Sequence, residues 1–169
     1  EKSEGYFHKF SKNTLASKSK YSSFIFPSGL KFNKLDLEFD LNGEGSECNL
    51  QSASFLDKND HQEIKTRINH QAPNCKSYQR VKNVLNSEGK GVYQGKIFVK
   101  DIAQKTNAYQ LSKAMLLSDS CEFDSKPELE IYADDVKCSH GSTSGNLDKD
   151  SIYYLMTRGL NPLESKQLL

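Results

Sequence analysis

Between residues 35 and 41 apolar and acidic side chains alternate without a break: Leu35, Leu37, Phe39 and Leu41 are separated by Asp36, Glu38 and Asp40. A two-residue period puts every apolar group on one face, so this stretch predicts a half-buried β-strand. Phe24 and Phe26 carry the β-type signal back toward Tyr21. Further short strand candidates follow around residues 48 to 56, 62 to 69, 77 to 85, 91 to 99, 108 to 117 and 121 to 132. Breaks rich in Asn, Asp, Gly and Ser lie between them, among them Asn42-Gly43-Glu44-Gly45 and Ser87-Glu88-Gly89-Lys90-Gly91. Evenly spaced strands without intervening helices fit a sandwich, a barrel or a β-solenoid. No sequence repeat is obvious, so periodicity leaves that choice open.

The two flanks break the pattern. Residues 1 to 19 are rich in Ser and Lys, with scattered Tyr6, Phe7 and Phe10, and are expected to form a weakly ordered lead-in. After Gly145 the pattern turns helical: Asp148 is placed to cap a helix reaching Arg158, with Ile152, Leu155 and Met156 on one face and Gly159 to end it. Asn161, Pro162 and Glu164 then form a capping-box start for a second helix. The expected organisation is therefore a lead-in over 1 to 19, a β core over 20 to 146 and the start of a helical region over 147 to 169. The chain begins at Glu1 rather than Met and stops at Gln167-Leu168-Leu169 with a helix still in progress, so both ends read as cuts.

Composition narrows the architecture and the partners. Only 36% of the 169 residues are hydrophobic and the mean hydropathy is -0.71, yet nine Phe and eight Tyr are too many for a disordered chain. A narrow core under much polar surface fits both facts, and solenoids have that cross-section. The formal net charge is +1, and Arg67, Arg80 and Arg158 are the only arginines, which argues against nucleic acid as a partner. No apolar run has the length of a membrane span, and no secretory leader pattern is present, so the protein is expected to be cytoplasmic, without membrane association. Cys48, Cys75, Cys121 and Cys138 are widely spread with no Cys-x-x-Cys pair, which suggests free thiols in a reducing compartment.

The segment Val136-Lys137-Cys138-Ser139-His140-Gly141 is the most informative for chemistry. If it runs extended, Val136, Cys138 and His140 share one face, with the thiol and imidazole roughly 7 Å apart at their Cβ atoms. Two such donors can serve one iron or cluster but cannot complete a site, so other ligands must come from elsewhere. A Cys is equally a small buried hydrophobe and a lone His a satisfied structural donor, and a Cys-His nucleophile pair is a third option. His61, His70 and Cys75 form a second group around the corner at Pro73-Asn74, where His70 and Cys75 could face each other. Asp134-Asp135 reads as a polar corner with Lys partners rather than a cation site. No phosphate-binding Gly-Lys-Ser/Thr loop, nucleophile elbow or His-Glu-x-x-His pair occurs, so no nucleotide is expected to bind this chain.

Several blocks resemble the SufB/SufD family of iron-sulfur cluster assembly proteins. They are His70-Gln71-Ala72-Pro73-Asn74-Cys75-Lys76-Ser77, Gly95-Lys96-Ile97-Phe98-Val99, the stretch at 103 to 110, Met115-Leu116-Leu117-Ser118-Asp119, and above all residues 124 to 141, ending in Lys137-Cys138-Ser139-His140-Gly141. The resemblance covers 61 to 169, is less distinctive over 20 to 60, and does not reach 1 to 19. It implies an all-β fold, a right-handed parallel β-helix followed by a helical region that is truncated here. It also implies a non-enzymatic, SufD-like subunit of a scaffold with a SufB-like subunit and a SufC-like ATPase. The Lys-Cys-Ser-His-Gly strand resembles SufD, whereas SufB relatives tend toward a His-Glu-Ala type sequence there. By the same resemblance His140, with Cys138 as a weaker candidate, touches a transient iron-sulfur cluster or iron at the subunit interface, and two copies of this chain could pair through that surface. The competing expectations are a purely structural scaffold with no metal contact and a β-helical carbohydrate-active enzyme.

Overall fold

In the computed structural model, which describes residues 3–169, the alternating stretch at 35 to 41 is the second half of a long strand lying parallel to its neighbours. Strands β1 (Ser3–Leu15), β3 (Leu30–Leu41), β5 (His61–His70), β7 (Lys90–Val99) and β9 (Glu122–Ile131) make one sheet, here sheet A, in that order. Strands β2 (Lys20–Ile25), β4 (Glu47–Leu56), β6 (Lys76–Leu85), β8 (Asn107–Leu116) and β10 (Lys137–Asn146) make sheet B. The chain passes from one sheet to the other at every corner, and every neighbouring pair is parallel. The result is a parallel β-helix of five coils, the architecture that the family resemblance implied and strand spacing alone left open. Each middle-strand candidate from 48 to 132 falls within one residue of an observed strand.

The corners explain how a chain without visible repeats keeps a repeating shape. Lys18, Gly45, Asn74 and Lys105 all adopt left-handed φ values, 58°, 70°, 59° and 59°, at the same corner of successive coils. Their backbone N–H groups donate to the coil beyond: Lys18 to Glu44 O (2.9 Å), Gly45 to Pro73 O (3.1 Å), Asn74 to Gln104 O (2.9 Å) and Lys105 to Asp135 O (2.6 Å). The conformation repeats while the residue type does not, which costs the two Lys positions some strain. Gly43 in this corner is required, because a Cβ there would lie 1.8 Å from the Ser17 backbone nitrogen.

Residues 3 to 15, expected to be weakly ordered, instead form β1, paired with β3 along Tyr6–Leu15. Between Phe7 and the buried Leu15 their inward positions are Lys9, Ser11 and Asn13, set against Leu35, Leu37 and Phe39, so the apolar period that reveals β3 is interrupted in a strand that hydrogen-bonds just as regularly. Beyond β10, Asp148 caps α1 (Lys149–Thr157) by accepting from the backbone N–H of Asp150 and Ser151. Asn161 and Glu164 close a reciprocal capping box on α2 (Pro162–Leu168), and Gly159 between the helices has φ +95°. Among the described residues no helix is long and apolar enough to cross a membrane.

The two sheets fill the interior differently. Sheet A projects Leu35, Leu37, Phe39, Leu41, Ile64, Ile68, Ile97 and Val99 inward, all buried. Sheet B answers with small and polar groups: Ser52, Ser54, Ser77, Gln79, Asn83, Ala108, Gln110, Ser112 and Ala114 are buried there, relieved by Leu50, Val81 and Leu85. Cross-sheet hydrogen bonds satisfy part of this polarity, between His70 Nε2 and Ser77 Oγ (2.9 Å), from Gln110 Nε2 to Gly95 O (3.3 Å) and between Ser112 and Ser125 (2.8 Å). Gly95 makes room for them, since a Cβ at that position would meet Tyr93 Oη at 2.4 Å and Gln110 Oε1 at 2.5 Å.

Candidate functional site

β10 is the last strand of sheet B and pairs on one side only, with β8. The register Cys138↔Ala108 and His140↔Gln110 continues the inward-facing rows of the sheet, so Cys138 and His140 share a face, as their spacing predicted, while Ser139 and Gly141 point outward. Among the described residues no further coil lies over them. Cys138 is half-buried and packs, with Val136, against Ile97, Val99, Ala103, Ala108 and Ala133. Burial pushes its thiol pKa up, partly opposed by a hydrogen bond with the Ala108 backbone. A thiol in that setting stays protonated on its own and becomes a strong ligand only when a metal displaces the proton. His140 is exposed, and no described residue makes a hydrogen bond or ion pair with its ring.

Two devices fix β10 in place while leaving its outer edge open. Ser112 Oγ bridges Ser142 Oγ on β10 (2.9 Å) and Ser125 Oγ on β9 (2.8 Å), tying the last strand to both sheets. Asn146 Nδ2 donates to Asp119 Oδ1 (3.3 Å) at the strand's far end. The equivalent edge of sheet A, β9, carries Pro127, which lacks an N–H, among Lys126, Glu128 and Glu130. Proline and charge are the usual means of blocking strand addition. β10 has neither along Ser139-His140-Gly141-Ser142-Thr143-Ser144-Gly145, so its backbone donors and acceptors can receive another strand.

The other sequence candidates do not join this site. His70 is fully buried, its Nε2 bonded to Ser77, and Cys75 turns away to Ser46 Oγ (3.3 Å) and Gly43 O (3.3 Å), so the two do not face each other. His61 lies on the outer face of sheet A against the Phe32 ring (5.1 Å) and Glu63 (3.1 Å). Asp134 and Asp135 do form a corner, but it is held by the Asp135 backbone, whose N–H donates to Gln104 Oε1 and whose C=O accepts from Lys105 N–H, and no lysine ammonium pairs with either carboxylate among the described residues. All four cysteines are free, and among the described residues no group of three or more His, Cys, Asp and Glu gathers at one point. Cys138 and His140 thus stand as a pair on one strand face, with no third such group beside them among the described residues. Sequence reading missed Ser112, Ser125 and Ser142, and Gln110 beneath His140. Only the strand register brings them together.

The chain matches, over residues 1–169, the family model described as "SUF system FeS cluster assembly, SufBD core domain". It is 39% identical over 129 residues to the iron-sulfur cluster assembly protein SufD of Escherichia coli, covering 76% of this chain and 30% of that protein. An iron-sulfur cluster assembly SufBD family protein of Synechocystis sp. is 32% identical over 151 residues, 89% of this chain and 33% of its own length. Protein ABCI7, chloroplastic, of Arabidopsis thaliana is 42% identical over 78 residues, 46% of this chain and 16% of its own. The chain therefore spans about a third or less of these relatives.

Proposed function

Because this chain belongs to the SufBD core family of iron-sulfur cluster assembly proteins, we propose that it is the β-helical part of a SufD-like scaffold subunit. Its partners in this reading are a SufB-like subunit, which adds to the open edge of β10, and a SufC-like ATPase, which docks on the helical region that α1 and α2 begin. The nascent cluster, or the iron that builds it, is cargo held at that edge. His140 supplies one nitrogen ligand or transfer group, Cys138 a second and weaker donor, and the SufB-like subunit the remainder. The subunit performs no catalysis of its own, binds no nucleotide and works in the cytoplasm.

One observation carries this reading: an exposed imidazole without a partner, beside a half-buried thiol, on a sheet edge that, unlike β9, carries no proline. Anaerobic reconstitution of the full complex with His140→Ala tests it. The expected result is cluster yield reduced about tenfold with the complex still assembled, as loss of a primary ligand does. Wild-type yield from the Cys138→Ser, His140→Ala double variant would instead favour the purely structural scaffold, a reading that the packing of Cys138 in an apolar cluster supports. The carbohydrate-active alternative draws no such support. Glu63, Glu122, Glu128 and Glu130 are all held below the usual carboxylate range by hydrogen bonds from lysines, whereas a general acid needs the opposite shift.

A further inference from the structure

The outer faces of the two sheets carry very different charge. Counting outward strand positions from Tyr6 onward, sheet A has seven Lys and Arg against eight Asp and Glu, laid out so that opposite signs meet across strands: Lys12 with Glu38, Lys34 with Glu63, Lys90 with Glu122. Sheet B has six cations, Lys20, Lys76, Arg80, Lys82, Lys113 and Lys137, against Glu47 alone. Glu47 is engaged by Lys20 and Lys76 at the rim, which leaves the middle of the face with cations only. Lys82 and Lys113 are register partners on adjacent strands with no carboxylate in reach. Like charges directly opposite each other destabilise a sheet. The half-buried guanidinium of Arg80 also has no carboxylate: it lies over the Tyr78 ring at 5.1 Å, and its Nε makes no hydrogen bond.

Aromatic and apolar groups interleave with these cations. Tyr78 and Tyr109 stack at 5.3 Å and 15°, and in the row beyond the lysines Phe55, Val84 and Met115 line up across β4, β6 and β8, with Phe55 51% and Met115 37% exposed. The row ends at Gly145 on β10, so nothing stands above the plane at that edge. Four strands of ten residues and one of six span roughly 700 Å² at ordinary strand spacing and rise, close to the roughly 800 Å² that one partner contributes to a standard protein-protein interface. Tyr, Arg, Met and Phe are also the residues enriched at such contacts.

We propose that the outer face of sheet B is a docking surface for an acidic protein partner that carries apolar side chains, engaged in addition to whatever pairs with the edge of β10. Carboxylates of the partner relieve the Lys82–Lys113 repulsion and pair with Arg80, while its apolar groups cover Phe55, Val84 and Met115. Single-stranded nucleic acid suits the face less well. The tyrosine pair stacks on itself, a single arginine is present, and an apolar row offers a phosphate backbone nothing.

The test uses the full chain and three fluorescent probes: an acidic peptide containing Phe and Leu, the same peptide with Ser in their place, and oligothymidylate. The Phe- and Leu-containing peptide is expected to bind most tightly, and its amide chemical-shift footprint should fall on β4, β6 and β8 rather than β5 and β7. Lys82→Glu with Lys113→Glu should weaken it by about tenfold or more, and Lys34→Glu with Lys65→Glu on sheet A should change it by less than about twofold. Phe55→Ser with Met115→Ser should erase its advantage over the Ser peptide. Tighter binding of oligothymidylate, equal losses from the two charge reversals, a footprint on sheet A or no binding at all would each overturn the proposal. The wild-type footprint stands even if a variant fails to fold.

Discussion

Sheets A and B share one backbone plan and use opposite chemistry on it. Sheet A is conventional, with large apolar groups inside and a balanced lattice of ion pairs outside. Sheet B places serine, glutamine and alanine inside and, outside, a set of cations of which only Lys20 and Lys76 meet a carboxylate. The difference teaches where stability and recognition reside. Sheet A supplies most of the apolar burial that holds the coils together, and parallel strands left bare on their outer face need its charge lattice to stay solvated. Sheet B, with a thinner share of the core, is free to present side chains that a structural surface would avoid.

The sharpest way to break this comparison is to truncate one representative side chain on each inner face. Phe39→Ala in sheet A should cost about 3–5 kcal/mol by transfer and cavity formation, read as a fall in the urea midpoint at constant slope. Ser52→Ala in sheet B removes a buried hydroxyl with no hydrogen-bond partner, so it should leave stability unchanged or slightly raised. Equal losses at the two positions would mean that the sheets share the core evenly.

A second measurement addresses the contact that joins the sheets. His70 is fully buried, with Nε2 on Ser77 and Nδ1 unpartnered, and burial lowers its pKa from 6.5 to about 4. The folded state thus refuses a proton that the unfolded chain accepts below 6.5. The stabilisation is complete above that pH and is lost as pH falls from about 6.5 to about 4, by about 3 kcal/mol if His70 acts alone. Urea unfolding across that range should show the loss, and His70→Gln should flatten this part of the profile.

The smallest effects separate the outer faces. Glu63→Gln breaks the pair with Lys34 (3.0 Å) and should lower stability by at most about 1 kcal/mol, less in high salt. Lys82→Ala on sheet B should do the reverse and raise stability slightly at low salt, by relieving its repulsion with Lys113. Denaturation of both variants at two ionic strengths decides whether the lattice and the cation row differ in sign.

The same contrast sets what could be read from the sequence. β3 was plain because Leu35 to Leu41 obey the inside-apolar rule of sheet A, and the middle strands were located by their polar breaks. β1 escaped because Lys9, Ser11 and Asn13 occupy its inward positions, and β10 beyond His140 escaped because a run of Ser, Thr and Gly has no apolar period. Cys138 and His140 were recognisable from spacing and family resemblance, but the open edge that exposes them was not. The net charge of +1 concealed the basic face altogether, since a sum over the chain erases where the charges lie.

The stacked left-handed corners have one more consequence. Phe32, His61 and Lys90 are register partners 29 residues apart, and the left-handed corner recurs once per winding, at Lys18, Gly45, Asn74 and Lys105, whatever residue occupies it. Length along the axis is therefore quantised: loss or gain of a whole winding rejoins like with like. A single-residue slip within a strand exchanges its wet and dry sides at once.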